Sequence, residues 1–342
     1  MLTTKLSILS SKSNKSSIVW RQIRQINSNI GVIGIPFWYG QSRLGTNLAP
    51  EILRSKGLID KLSAQFGQNR VIDFGNISLE IDSNEISKNQ WKNPNEFNLW
   101  KLSEKSSNFI ENLIKNDYVP LILGGDHSIA VGSVMGAKQA LINKGNNEDL
   151  SLIWIDAHAD ANTVQSSLSG NLHGMPMSFL VKPTSTEHQH QKNQQQQIKP
   201  CINAKNIVYI GLRDVEIQEL HLLKELNIAY FSMKDVDNLG INEVIARSLD
   251  HIDPLGKNHL HISFDVDSLD PMIIPSTGTP VMGGLTFRET LQIGEYINNT
   301  GRMIAMDLVE FNPNIGTEQM IDQSAKTIIE IIMAFFGKSR LG

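Results

Sequence analysis

Aspartate and histidine residues cluster at three places in this 342-residue sequence. His127 comes directly after Gly-Gly-Asp, the segment 156–160 reads DAHAD, and the segment 265–267 reads DVD. Carboxylate and imidazole groups are the ligands that proteins commonly use for divalent metal ions. The clusters therefore predict a metal site with six candidate ligands, which are His127, Asp156, His158, Asp160, Asp265 and Asp267.

The spacing within the clusters indicates how these groups could meet. Alternate residues of an extended segment point to the same side, so Asp156, His158 and Asp160 can converge while the alanines between them face away. Four carboxylates are too many for a closed structural zinc site, whereas Mn²⁺ accepts oxygen-rich ligand sets. Six ligands could hold two ions bridged by aspartates, and such a pair would strongly favour deprotonation of a shared water.

A simpler explanation exists for each cluster taken alone. An aspartate at the end of a strand can cap the following helix, and His127 could make only a structural hydrogen bond. Three clusters that each follow a different apolar run are harder to explain in this way, because unpaired buried carboxylates are costly. We therefore favour the metal site over the structural alternative.

Short apolar runs precede the clusters and alternate with amphipathic segments. Continuous apolar runs of about five to eight residues are typical of strands buried on both faces of a parallel sheet. The predicted strands span 30–37, 71–75, 119–125, 151–157, 206–212, 228–233, 260–266 and 303–311. The predicted helices span 96–116, 128–144, 216–227, 241–251, 286–299 and 317–336. This alternation predicts a single-domain, three-layer α/β/α fold with a mostly parallel central sheet, with the clusters at the carboxyl ends of strands, where ligands bind.

The folded domain is predicted to span residues 30–342, after a different kind of segment. Residues 1–29 are basic and rich in serine, and no acidic residue precedes Glu51. This composition is typical of a mitochondrial transit peptide, so we predict a mitochondrial location, with a basic cytoplasmic extension as the alternative. Residues 184–199 are polar and rich in glutamine, which predicts a solvated loop.

The overall composition excludes several classes of protein. A net charge of −4 gives no reason to expect a nucleic-acid partner. The single cysteine, Cys201, rules out an internal disulfide framework. No apolar run approaches the ~20 residues that a membrane-spanning helix needs, so no membrane partner is predicted.

Several segments closely resemble the signature sequences of the arginases, which belong to the ureohydrolase family. The likeness runs in order from about Ile30 to the C-terminus. The segments that carry it are GGDHSIAVGS (124–133), WIDAHADAN (154–162), SGNLHGMPMSFL (169–180), PCINAKNIVYIGLRDVE (200–216), SFDVDSLDP (263–271), TGTPVMGGLTFRE (277–289) and MDLVEFNPNIG (306–316). The resemblance implies an arginase-like catalytic domain, a homotrimer, and hydrolysis of L-arginine to L-ornithine and urea.

The resemblance also implies roles for the clustered residues. One Mn²⁺ would be held by His127, Asp156, Asp160 and Asp265, and a second by Asp156, His158, Asp265 and Asp267. A hydroxide bridging the two ions would attack the guanidinium carbon. The implied catalytic residues are His173, Glu310 and Asp160, the last of which is also a ligand. His173 would shuttle protons, and Glu310 would orient the substrate guanidinium.

The substrate choice depends on residues outside the metal clusters. The resemblance implies that L-arginine contacts Asn162, Ser167, Ser169, Asp214, Glu216, Glu219, Thr279 and Glu310. The chain departs from the arginase pattern at Glu216, where arginases usually carry aspartate, and in the VQSSL stretch, where they are usually rich in threonine. The alternatives are an agmatinase or another guanidino-substrate ureohydrolase, and a non-catalytic metal-binding protein.

Overall fold

Eight strands form the central sheet of this computed structural model, which describes residues 29–78, 94–145, 149–183 and 198–340. The strands are β1 (Asn29–Ile35), β2 (Val71–Asn76), β3 (Tyr118–Gly124), β4 (Leu150–Ile155), β5 (Ile207–Leu212), β6 (Ala229–Ser232), β7 (His259–Asp265) and β8 (Met303–Val309). All neighbouring strands run parallel, in the order β2-β1-β3-β8-β7-β4-β5-β6. The eight predicted strands and the parallel sheet are thereby confirmed.

Burial on both faces explains why these strands are so apolar. Every residue of β4 and β5 is buried, whereas the edge strands β2 and β6 are partly exposed. β-Branched and aromatic side chains suit a pleated surface that is covered on both sides. The central strands are therefore the ones that the continuous apolar pattern identifies most clearly.

Ten α-helices are assigned in the described part of the chain. They are α1 (Ala49–Ser55), α2 (Leu58–Phe66), α3 (Pro94–Lys115), α4 (Ala130–Asn143), α5 (Pro176–Leu180), α6 (Ile217–Glu225), α7 (Met233–Leu239), α8 (Ile241–Ile252), α9 (Phe287–Thr300) and α10 (Glu318–Phe335). The six predicted helices are confirmed with ends shifted by one or two residues. Helices α1, α2, α5 and α7 were not predicted, because helices of nine residues or fewer carry little periodic signal.

Two apolar cores cover the two faces of the sheet. Along β1, Ile30 and Val32 pack into one core, whereas Ile33 and Ile35 pack into the other. Helices α1, α2 and α7 to α10 contribute to the first core, and α3 to α6 contribute to the second. The structure therefore has the three-layer α/β/α architecture that the sequence predicts.

The order of the strands brings the chemical residues to one place. Strands β3 and β4 are consecutive in the chain but are separated in the sheet by β8 and β7. The clusters at Asp156 and Asp265 follow the adjacent strands β4 and β7, and His127 follows β3, which only β8 separates from β7. Such a reversal of strand order opens a crevice at the carboxyl ends, which is where α/β proteins bind ligands.

Two sequence predictions lie outside the described residues. The transit-peptide hypothesis concerns residues 1–29, of which only Asn29 is described. The polar-loop prediction for 184–199 concerns a segment of which only 198–199 is described. Among the described residues, none of the helices combines the length and the apolar character that crossing a bilayer requires.

Candidate metal centre

The first cluster follows β3 through a tight glycine turn. A Cβ atom at Gly125 would lie 1.7 Å from the carbonyl oxygen of Phe37, so no larger residue fits this close approach. The Asp126 carboxylate then accepts hydrogen bonds from the backbone N–H groups of Gly40 and Ser128. These contacts fix the backbone that presents the imidazole of His127 to the sheet edge.

The imidazole of His127 lies among three carboxylates. Its Nδ1 atom is 2.9 Å from an oxygen of Asp160 and 3.1 Å from oxygens of Asp156 and Asp265. All four residues are buried. We call these four residues the His127 group.

A second group lies beside the first and shares Asp156 with it. The Nδ1 atom of His158 is 3.1 Å from Asp267 and 3.5 Å from the second oxygen of Asp156. We call Asp156, His158 and Asp267 the His158 group. The resemblance also implies Asp265 as a ligand here, but the structure brings Asp265 within ligand distance of the His127 group alone.

The donor geometry of both groups suits divalent cations. One donor atom from each residue of a group lies within 4.8 Å of the others, which is close enough for all of them to bind a single ion. The buried Nδ1 of His127 has no hydrogen-bond partner although three carboxylate oxygens approach it. An ion among these four donors would satisfy that nitrogen, and the oxygen-rich set matches the preferences of Mn²⁺.

Crowding of the carboxylates shifts their pKa values. Burial and the neighbouring Asp156 raise the pKa of Asp160 to about 7. Burial and the other aspartates also raise the pKa values of Asp265 and Asp267. Burial opposes ionisation of Asp156 as well, but its contacts with the two imidazoles outweigh burial and lower its pKa. The cluster therefore requires nearby positive charge to keep its carboxylates ionised.

Groups behind His127 and Asp156 hold them in place. The Trp154 ring stacks on the His127 ring at 4.0 Å and 11°, and its Nε1–H donates to Asp156 at 2.9 Å. The Nε2 atom of His127 lies 2.9 Å from the hydroxyl of Ser263, which in turn donates to Asp307 at 3.3 Å. Such hydrogen bonds behind a ligand fix the orientation of its ring.

A second polar network lies next to the His127 group. The carboxylate of Glu310 accepts hydrogen bonds from the backbone N–H of His127 and from the side chain of Gln41. One of its oxygens is also 3.0 Å from Nδ1 of His173. Burial lowers the pKa of His173, but the Glu310 carboxylate outweighs burial and raises it to about 9. His173 therefore carries a proton at neutral pH.

Two of these acidic residues have strained backbones. Asp160 has φ of 48° and Glu310 has φ of 66°, which is the left-handed region that non-glycine residues rarely adopt. Such strain costs on the order of 1–3 kcal/mol and concentrates at functional sites. Both carboxylates are thus held in position at a cost to folding stability.

A cavity of about 150 Å³ opens onto the two groups. Its walls include seven of the eight residues that were predicted to contact the substrate, together with His173: Asn162, Ser167, Ser169, Asp214, Glu216, Glu219 and Thr279. Glu310 is not among the lining residues and touches His173 from behind. The structure therefore gathers the predicted residues around one pocket, with Glu310 just outside its wall.

Several pocket residues already have structural partners. Both carboxylate oxygens of Glu219 accept backbone hydrogen bonds, one from Ala161 and one from Glu216 at the start of α6. The hydroxyl of Thr279 donates to Asp267 at 2.9 Å. Glu219 and Thr279 therefore support other residues of the site, whereas Asp214 and Glu216 are exposed at its rim.

Sequence reasoning did not identify several supporting residues. Trp154 and Ser263 lie in strands that were predicted only as apolar core, and Gln41 lies in a loop remote from every cluster. The alternation of side-chain direction along a strand could have identified Ser263, because this residue lies two positions before Asp265 and so points to the same side of β7. No local signal identifies Gln41, which reaches Glu310 across 269 positions of sequence.

Comparison with known proteins agrees with this arrangement. The model of the arginase family matches residues 28–337. Human arginase-1 is 42% identical over 314 residues, which cover 92% of this chain and 94% of the relative. Mouse mitochondrial arginase-2 is 38% identical over 338 residues, which cover 97% of this chain and 92% of the relative. The crystal structure of the arginase from Bacillus cereus, at 29% identity, superposes with a TM-score of 0.77 over 91% of this chain and 99% of that one.

Proposed function

This chain belongs to the arginase family, and we propose that it hydrolyses L-arginine to L-ornithine and urea with the help of two Mn²⁺ ions. The observation that carries the proposal is the pair of ligand groups at the base of an acid-lined pocket. A guanidinium cation is attracted to such a pocket because each carboxylate lowers its energy there. The relatives named arginase support the choice of substrate.

The six clustered residues are the proposed ligands. The His127 group would hold one ion and the His158 group the other, with Asp156 shared between them. Two ions bound in this way would lower the pKa of a shared water and so supply hydroxide at neutral pH. The 3.1 Å contact with His127 supports Asp265 as a ligand of the first ion, and its role as a ligand of the second ion is proposed on the resemblance alone.

His173 is the proposed proton donor for the departing amine. It lines the pocket, and its raised pKa of about 9 keeps it protonated at neutral pH. Glu310 lies directly behind it and accepts from Gln41, so the imidazole is held in one orientation. General acid–base catalysis by a positioned imidazole of this kind contributes roughly 10²–10⁴-fold to a rate.

Residues at the rim are proposed to recognise the amino-acid end of the substrate. Asp214 and Glu216 are exposed and acidic, which suits contact with an α-ammonium group. Asn162 and Ser169 line the same pocket and suit contact with an α-carboxylate. Agmatine has no carboxylate, so these two residues distinguish an arginase from an agmatinase.

The test is urea release by the purified protein after incubation with Mn²⁺, with L-arginine and agmatine compared as substrates. We expect turnover of arginine, and we expect its loss in Asp156→Ala, which removes the ligand common to both groups. Turnover of agmatine in place of arginine would contradict the proposed roles of Asn162 and Ser169. No turnover of either substrate, with Mn²⁺ bound, would favour a non-catalytic metal-binding protein.

We also propose that the protein is mitochondrial and trimeric. The acid-free composition of residues 1–29 and the similarity to a mitochondrial arginase-2 support import. Fusion of residues 1–29 to a fluorescent protein tests this, since a cytoplasmic signal would contradict it. Light scattering of the purified protein tests the oligomeric state, and a monomeric mass would exclude a stable trimer.

A further inference from the structure

One arginine next to the pocket ties the end of β5 to two parts of the connection between β7 and α9 through backbone carbonyl groups. Arg213 follows β5, and its guanidinium is half-buried. It donates hydrogen bonds of 2.6–3.3 Å to the carbonyl oxygens of Gly211, Asp267, Ser268, Leu269 and Val281. Three of these acceptors are consecutive residues of the loop that begins with the proposed ligand Asp267.

The loops that Arg213 joins carry residues of the His158 group and its surroundings. Asp267 itself belongs to that group, and its carboxylate accepts a hydrogen bond from Thr279, two residues before Val281. Asp214, which follows Arg213, lies 3.8 Å from Nε2 of His158. The segments that Arg213 joins therefore include a residue of the His158 group and lie next to the others.

The charge of Arg213 has no carboxylate partner of its own. Among the described residues, no acidic oxygen lies within salt-bridge distance of the guanidinium, and its hydrogen-bond acceptors are neutral carbonyls. Burial lowers its pKa, while Asp267 and Asp156 favour its charged form. A half-buried guanidinium without a carboxylate partner needs hydrogen bonds to replace its hydration, and these backbone carbonyls supply them.

The acceptors also require the planar shape of arginine. Three nitrogens of one rigid fork reach five oxygens from different directions, which a lysine ammonium with three donors cannot reproduce. The fit is close on all sides, because a Cβ atom at Gly284 would lie 2.6 Å from a terminal nitrogen of Arg213. This side chain therefore ties the residues that follow β7 to Val281 in a way that a lysine could not.

We propose that Arg213 is a positioning residue for the His158 group, which sets the affinity of that group for its metal ion and leaves the His127 group unaffected. The imidazole of His127 is held instead by the Trp154 ring and by Ser263, which Arg213 does not contact. This inference rests on the proposed binding of two ions.

The experiment measures how many Mn²⁺ ions are bound, by calorimetric titration of metal-depleted protein and by electron paramagnetic resonance of the loaded protein. Wild type is expected to bind two ions that give a magnetically coupled signal. Arg213→Met is expected to weaken one of the two ions by roughly 10–100-fold, the effect typical of a residue that supports a ligand. The affinity of Arg213→Lys for this ion should lie between those of wild type and Arg213→Met. If the methionine variant does not fold, the lysine variant takes its place in the experiment.

Two further variants separate this role from a general loss of stability. Arg302→Met removes a half-buried guanidinium that pairs with Asp253 at the opposite end of the sheet, and it should leave both metal affinities unchanged. In a His158→Ala background, which retains only the His127 group, Arg213→Lys should not change the affinity for the remaining ion.

The outcomes distinguish this inference from the proposed function. Binding of fewer than two ions by wild type would contradict the proposed function. Two ions in wild type with unchanged affinities in both Arg213 variants would overturn the positioning role alone. Equal weakening of both ions, or weakening that persists in the His158→Ala background, would also overturn it.

Discussion

The two ligand groups differ most in what lies behind their histidines. His127 is fully buried, stacks on Trp154 and contacts the hydroxyl of Ser263. Ser263 leads on to Asp307, which also accepts from Ser133 and lies 2.9 Å from Nε2 of His261. The imidazole of His127 is thus held by side chains of the sheet interior.

His158 is held by loops instead. Its side chain is 22% exposed, and its outer nitrogen lies 3.8 Å from Asp214, whose side chain is 69% exposed. Its partner Asp267 depends on Thr279 and on the loop contacts of Arg213. The comparison teaches that packing of the core fixes one proposed metal position, while the loops that also line the pocket fix the other.

The largest effect is expected where the two groups meet. Asp156→Asn removes the carboxylate that both histidines approach, so both ions should be lost. Urea release should fall by more than ~100-fold, beyond the usual effect of a supporting residue. Mn²⁺ titration and urea assay check this, with Asp253→Asn as a buried control at the opposite end of the sheet. Retention of one ion at full affinity would show that Asp156 is not shared.

A large but one-sided effect is expected for Ser263→Ala. Loss of the hydroxyl leaves Nε2 of His127 without its partner, so affinity at the His127 group should fall by roughly 10–100-fold. The His158 group should bind its ion as before. Ser151→Ala is a matched control, because Ser151 is equally buried in the neighbouring strand but lies at the far end. Equal losses at both positions would contradict the separation of the two groups.

The same contrast explains what could be predicted from the sequence. The six candidate ligands follow buried parallel strands, whose apolar runs and alternate spacing are local signals, so the sequence alone could nominate all six. The strand order has no local signal, because β8 and β7 insert between β3 and β4 only in the folded chain. Gln41 and Arg213 act across loops that are distant in sequence, so their roles emerge only from the fold.

Some residues that were predicted to contact the substrate also have structural partners. Glu219 lines the pocket as expected, and both of its carboxylate oxygens accept hydrogen bonds from backbone N–H groups. The signal was available, since Glu216 and Glu219 have the spacing of an N-terminal capping pair before the apolar run of α6. Glu310 is a similar case, because it lies outside the pocket wall and contacts His173, which lines the pocket.

A smaller effect is expected from Asp214→Asn. The carboxylate is exposed and 3.8 Å from His158, so its charge is largely screened by water. The affinity of the His158 group for its metal ion should fall by about 10-fold or less, which is the low end of the effect expected for a residue that supports a ligand. The His127 group should not respond in the same titration. Glu216→Gln is the control, because it also removes one exposed negative charge nearby. An equal loss of metal affinity in this control would mean that Asp214 acts only through its charge and not through its contact with His158.

The smallest effect on metal binding is expected from Trp154→Phe, which tests a contact that serves both groups. Phenylalanine keeps a ring to stack on His127 but loses the Nε1–H that donates to Asp156. Asp156 keeps its two histidine neighbours, so both metal affinities should fall together and by less than ~10-fold. The metal-free protein should lose about 1–3 kcal/mol of stability, the cost of leaving a buried acceptor unsatisfied. Thermal unfolding measures this loss of stability, with Trp100→Phe as the control. A change in metal affinity at only one of the two groups would mean that the carboxylate of Asp156 does not couple the ion of the His127 group to the ion of the His158 group.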